Sequence, residues 1–227
     1  MDLRNSFCNP SLQHIFGCDS YGRDFALLLL LGIKKSFFIA ILAVLIKTLI
    51  AVPLGAIASL QERAGYFILK ISDIFMAFPS LILALFFASI LPASEYSIVF
   101  AICVSGWAPL TRYIKSSTDQ IKNSLFLEAA YSTGASHSHV ILKHVLPHFL
   151  KPLLIQVIYG ISSAIFLETS LAFLGLGGPI NEISWGHLFT EGRYYLMEHP
   201  RIFLIPLIFL TCILYALQVL AHKYTEK

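Results

Sequence analysis

His137, His139, His144 and His148 form the densest group of side chains in this sequence that could hold a metal. The first two are two apart and the second two one helical turn apart, so each pair could share a ligand. No carboxylate close in sequence completes a ligand set or orients a ring, and the reading calls for no metal and no cofactor. The four cysteines, Cys8, Cys18, Cys103 and Cys212, show no CxxC spacing. Cys103 and Cys212 lie in apolar runs and read as small buried residues; Cys8 and Cys18 could pair if the N-terminus faces an oxidising space. No Ser/His/Asp triad, paired-carboxylate arrangement or GxxxxGK[ST] loop stands out. What remains are isolated charges in apolar surroundings. Lys47 sits near the middle of an apolar stretch, where a charge costs about 2.5–3.5 kcal/mol on insertion scales. It should therefore face a bundle or a watery path, with either a structural partner or a substrate contact for its amine. Glu168 lies toward the end of another such stretch.

The elements that must carry these residues are apolar helices. Hydrophobic residues make up 57% of the 227-residue chain and charged residues only 13%, half the share of about 25% usual in soluble domains. Lipid is the solvent this composition fits. The net charge of +3 brings no dense basic cluster, so nucleic acid is excluded as a partner. Five segments have about the 20 apolar residues a bilayer core demands: Phe37–Ser59, Ile74–Leu91, Tyr96–Ile114, Pro152–Leu171 and Ile202–Ala221. The fold class is therefore all-α, a polytopic membrane helix bundle of about five spans. Pro53, Pro79, Pro109 and Pro206 fall inside the spans, which suits a bundle that bends. The apolar run Phe25–Leu31 is too short, and has the wrong flanks, for a signal peptide.

The basic stretch Arg112–Lys151 belongs in the cytoplasm by the positive-inside rule. Alternation then places residues 1–36 and Gly175–Arg201 outside, and the short tail 222–227 inside. On that count nine Lys and Arg lie inside and six outside, with Lys34 and Lys35 opposing the trend. The organisation expected is an extramembrane segment 1–36, a transmembrane domain 37–221 with a cytoplasmic loop over 115–148, and the tail. Within that loop Leu125, Glu128 and Ala129 recur at helical spacing, Gly134 can close a first short helix, and Ser136 can cap a second that Pro147 stops. Small residues let another backbone approach closely, so the element reads either as a docking surface or as a plain amphipathic loop.

Glu128-Ala129-Ala130, then Gly134, then Leu146-Pro147, resembles the EAA loop of bacterial ABC importer permeases, and His144 in place of isoleucine resembles their peptide/nickel subfamily. Three further segments resemble that subfamily in the same order. They are His14 through Gly17-Cys18-Asp19-Ser20-Tyr21-Gly22-Arg23-Asp24, Asp73 through Phe78-Pro79-Ser80, and Glu168 through Gly177 followed by Ser184-Trp185-Gly186. Members carry a membrane helix before the His14 segment, where this sequence has no such apolar run, and an acidic Gly-Asp segment with a basic tail where it has Ala221–Lys227.

The resemblance implies a permease that forms half of a path with a homologous second permease. Two cytoplasmic ATP-binding subunits would dock on Glu128, Ala129, Ala130, Gly134, His144, Leu146 and Pro147, and an extracytoplasmic binding protein would deliver short peptides or nickel. ATP hydrolysis would lie on the partner chains, and the location would be the cytoplasmic (inner) membrane. Lys47, Asp73 and Glu168 are the candidate path residues. Two other readings stay open: a secondary transporter using Lys47, and an intramembrane metalloenzyme using the loop histidines. Trp185, in an outer loop, could anchor at the membrane interface.

Overall fold

The structure is a computed structural model that describes residues 5–122, 146–177 and 183–225. Among the described residues it is helical, and the helices are α1 (Phe25–Leu60), α2 (Glu62–Met76), α3 (Ser80–Ile90), α4 (Glu95–Lys122), α5 (Leu146–Leu171), α6 (Trp185–Tyr194) and α7 (Arg201–Thr225). A π-helical turn, Ala172–Leu176, extends α5.

α1 is the axis of the bundle. It begins at Phe25 rather than at the expected Phe37, because Asp24 caps it by accepting a hydrogen bond from the Leu27 amide. Its 36 residues are about 54 Å long at 1.5 Å per residue, more than the roughly 30 Å hydrocarbon core requires. It runs alongside α4 and α5. The contact face is Ile39, Ala40, Ala43 and Val44 of α1 against Ile98, Ala101 and Ile102 of α4 and Ala164 and Ile165 of α5. Alanines recur there because in lipid close backbone approach, rather than hydrophobic exclusion, holds helices together.

The expected span Ile74–Leu91 is instead a broken pair. α2 and α3 meet at 86° across Ala77-Phe78-Pro79. Pro79 has no amide hydrogen to continue the helix and pushes Phe78 out of the helical region, so the break falls where the sequence puts the proline. Among the described residues four helices are long and apolar enough to cross a membrane, or five if the bent pair counts as one span. Large exposed hydrophobics such as Leu49, Phe67, Ile74 and Phe86 leave apolar surface for lipid or another subunit.

Candidate functional site

At one end of α1 the segment before Phe25 folds into a cap. Asp19 is fully buried; its carboxylate accepts from the Tyr21 and Arg23 amides and from Arg23 Nε at 2.6 Å. His14 Nδ1 lies 2.7 Å from Asp24, and that hydrogen bond is the largest influence holding the Asp24 carboxyl below its ordinary value. Cys8 and Cys18 form a disulfide, the outcome expected of an N-terminus in an oxidising space. Arg201, at the start of α7, donates to the Phe7 and Cys8 carbonyls, and Ser20 binds Glu191 of α6. The segment is thereby tied to α6 and α7.

Two residues behind this cap turn out to be fasteners. Trp185 is 1% exposed rather than interfacial; its ring sits in a notch at Gly32 and its Nε1 donates to Leu29 O at 3.2 Å. A Cβ at position 32 would lie 2.5 Å from the Trp185 ring, so only glycine fits the notch. Glu168 is also sealed, at 0% exposure, and accepts from Ser36 Oγ at 2.8 Å while its Oε1 has no partner. It ties α5 to α1.

Lys47 is placed differently. It projects from the far half of α1 into a cleft of about 250 Å³ between α4 and α5. Ser80, Ser105, Gln156, Tyr159 and Ser163 supply the cleft's hydrogen-bonding groups. A second cleft of about 370 Å³ shares Ser80, Tyr159, Ser163 and Leu167 with the first and leads on to Gln218 of α7. The two adjoin as one trough in which these polar groups stand among a larger apolar lining. Sequence reading singled out Lys47 but passed over these neighbours. Their signal was present: Gln156, Tyr159, Gly160 and Ser163 follow the 3–4 spacing of a single helix face within an apolar span.

Asp73 lies outside the trough. It pairs with Arg112, linking α2 to α4, and both side chains are about half exposed, where an ion pair contributes little. Cys103 is buried as expected, but Cys212 is exposed on α7. Of the loop residues, Glu128, Ala129, Ala130, Gly134 and His144 lie outside the described residues, as do His137 and His139. Leu146 and Pro147 open the described part of α5.

Residues 51–224, which hold every residue of the trough named above except Lys47, match the family described as binding-protein-dependent transport system inner membrane component. The chain belongs to this family. It is 32% identical over 200 residues to the oligopeptide transport system permease protein OppC of Bacillus subtilis (strain 168), covering 88% of this chain and 66% of that protein. To a putative peptide transport system permease protein of Brucella suis biovar 1 (strain 1330) it is 30% identical, covering 92% and 71%. To the probable D,D-dipeptide transport system permease protein DdpC of Escherichia coli (strain K12) it is 32% identical, covering 87% and 67%. The chain thus spans about two thirds of the length of such relatives. The fold is like that of a chain of the MetNI methionine ABC transporter in an inward-facing conformation, with a TM-score of 0.69 at 16% identity, covering 87% of this chain and 94% of that one. As a member of an inner-membrane transport family with four or five candidate spans, it is an integral membrane protein.

Proposed function

We propose that the chain is the permease subunit of an ATP-binding cassette importer for short peptides in the cytoplasmic membrane. The observation that carries this reading is the family match over residues 51–224, whose relatives at 30–32% identity are named as oligopeptide and dipeptide permeases. It forms half of a translocation path with a homologous second permease, and the trough beside Lys47 is this chain's contribution. The cap with the Cys8–Cys18 disulfide faces outward, toward an extracytoplasmic binding protein. The loop 115–148 faces inward, where two ATP-binding subunits dock on the Glu128–Pro147 stretch. Closure of those subunits on ATP moves the loop and shifts the spans between outward-open and inward-open states, each favoured by its own set of contacts. Nickel, the other cargo of the subfamily that the sequence resembles, is not named by the relatives reported above.

Gly134 gives the test. It is expected to close the first loop helix at positive φ, where a β-branched side chain costs about 1–2 kcal/mol or more. Gly134→Val should leave insertion intact while abolishing co-purification of the ATP-binding subunits, and Glu128→Lys should weaken the same contact less. Full association and full transport in Gly134→Val would remove the docking role from this loop.

A further inference from the structure

Lys47 lies inside a span, in the far half of α1, yet among the described residues no carboxylate pairs with its charge. Its side chain is 8% exposed. Among the described residues the ion pairs on α1 to α4 link Lys35 to Glu95, Lys115 to Asp119 and Arg112 to Asp73, the others lie in the cap around Asp19 and Asp24, and none reaches Lys47. The groups beside it are the Cys103 thiol, which donates to Ala43 O at 3.2 Å, and two glycines. A Cβ on Gly160 would stand 3.2 Å from the Lys47 amine and one on Gly106 3.5 Å from it, so the amine lies close against α4 and α5 at positions that offer it no side chain. A buried ammonium without an anion is expensive to keep, and replacing it with an apolar residue would relieve that cost. Its position at the head of a 250 Å³ cleft, with Ser105, Gln156 and Ser163 close by, indicates that the missing anion arrives from outside the chain.

We propose that Lys47 is the anion contact of the translocation path, its ammonium taking the C-terminal carboxylate of a peptide in transit. This rests on the peptide-importer reading given above. The carboxylate is the one group every linear peptide carries whatever its side chains, so a single lysine can serve a mixed cargo. The Gln156 amide can donate to the second carboxylate oxygen, and the Ser105 and Ser163 hydroxyls, whose protons go to the Ile102 and Tyr159 carbonyls, can accept from the last peptide N–H. The adjoining 370 Å³ cleft along Ser162, Ser163 and Gln218 has room for the residues that precede the C-terminus. Because the ion pair is a single contact, it retains cargo without trapping it.

The test uses the complete transporter, with both permeases, ATP-binding subunits and binding protein, in proteoliposomes. The probes are trialanine and trialanine C-terminal amide, each at saturating loaded binding protein, and the readout is peptide moved per ATP hydrolysed. The wild type should move the free acid about tenfold more efficiently than the amide, as expected for one charge-assisted contact. Lys47→Met should lower the free acid to the level of the amide and leave the amide unchanged, and Lys47→Arg should retain most of the preference. Equal efficiency for acid and amide in the wild type overturns the assignment without reference to any variant. So does a Lys47→Met complex that handles both probes as the wild type does, or that loses both alike. Loss of the second permease from Lys47→Met would instead make a carboxylate of that subunit the partner of Lys47, and would also overturn it. Failure of the peptide-importer reading looks different: neither loaded probe would stimulate ATP hydrolysis.

Discussion

Glu168 and Lys47 are both ionisable side chains inside an apolar bundle, and their surroundings separate their roles. Glu168 has the Ser36 hydroxyl against one oxygen and no opening to a cleft, so it holds α5 to α1. Glu168→Ala should strand the buried Ser36 hydroxyl and leave a void, lowering stability by about 1–3 kcal/mol for the lost hydrogen bond alone. Glu168→Gln keeps an acceptor for Ser36 and should melt near the wild type, as thermal unfolding in detergent would register. Identical melting of all three proteins would refute the fastening role. Asp24 offers a second test, in pH. Its carboxyl is held below the ordinary value of 3.8, chiefly by the hydrogen bond from His14, so the unfolded state takes up the proton first as pH falls. The stability this contributes is complete above that value and disappears as pH drops through the lowered folded value. His14→Ala should raise the acid midpoint for loss of Leu27 amide protection, followed by hydrogen exchange. An unchanged midpoint would mean that His14 does not set the Asp24 titration.

At the scale of elements, the notch at Gly32 is the most exacting contact between α1 and α6. Gly32→Val would drive a side chain into the Trp185 ring and displace α6 from α1. In a Trp107→Phe background Trp185 is the sole tryptophan, and its emission should shift to the red as the ring meets water. An unshifted spectrum would show that α6 repacks without cost. The apolar spans were legible in the sequence because lipid imposes a simple length rule. The early start of α1 was not, since Lys34 and Lys35 broke the apolar run that a span search follows, although Asp24 carried a capping signal. The break at Pro79 had its residue in plain view, but a proline inside a span marks either a kink or a re-entrant turn, and neighbouring helices decide which. Trp185 misled for a related reason: an indole suits both a membrane interface and a buried notch, and only its opposite number, Gly32, distinguishes them. The trough was half legible. Lys47 stood out by its charge, whereas the polar stripe on α5 becomes a wall only when α1 and α4 are set against it.

For the whole molecule, the orientation proposed here puts the cap outside and the basic loop inside. A cysteine introduced at Ser138 should react with a membrane-impermeant thiol reagent only after cells are opened, and one at Asn181 should react in intact spheroplasts. The reverse pattern would invert the topology and detach the loop from any cytoplasmic partner. The central claim is that this chain works as half of an ATP-driven peptide path, and uptake energetics test it most directly. Proteoliposomes holding the complete transporter should accumulate labelled trialanine only when ATP reaches the ATP-binding subunits and loaded binding protein is on the opposite face. Ionophores that collapse proton and sodium gradients should leave that uptake unchanged. Accumulation that continues without ATP and vanishes with the ion gradient would contradict the account and make the chain a secondary transporter.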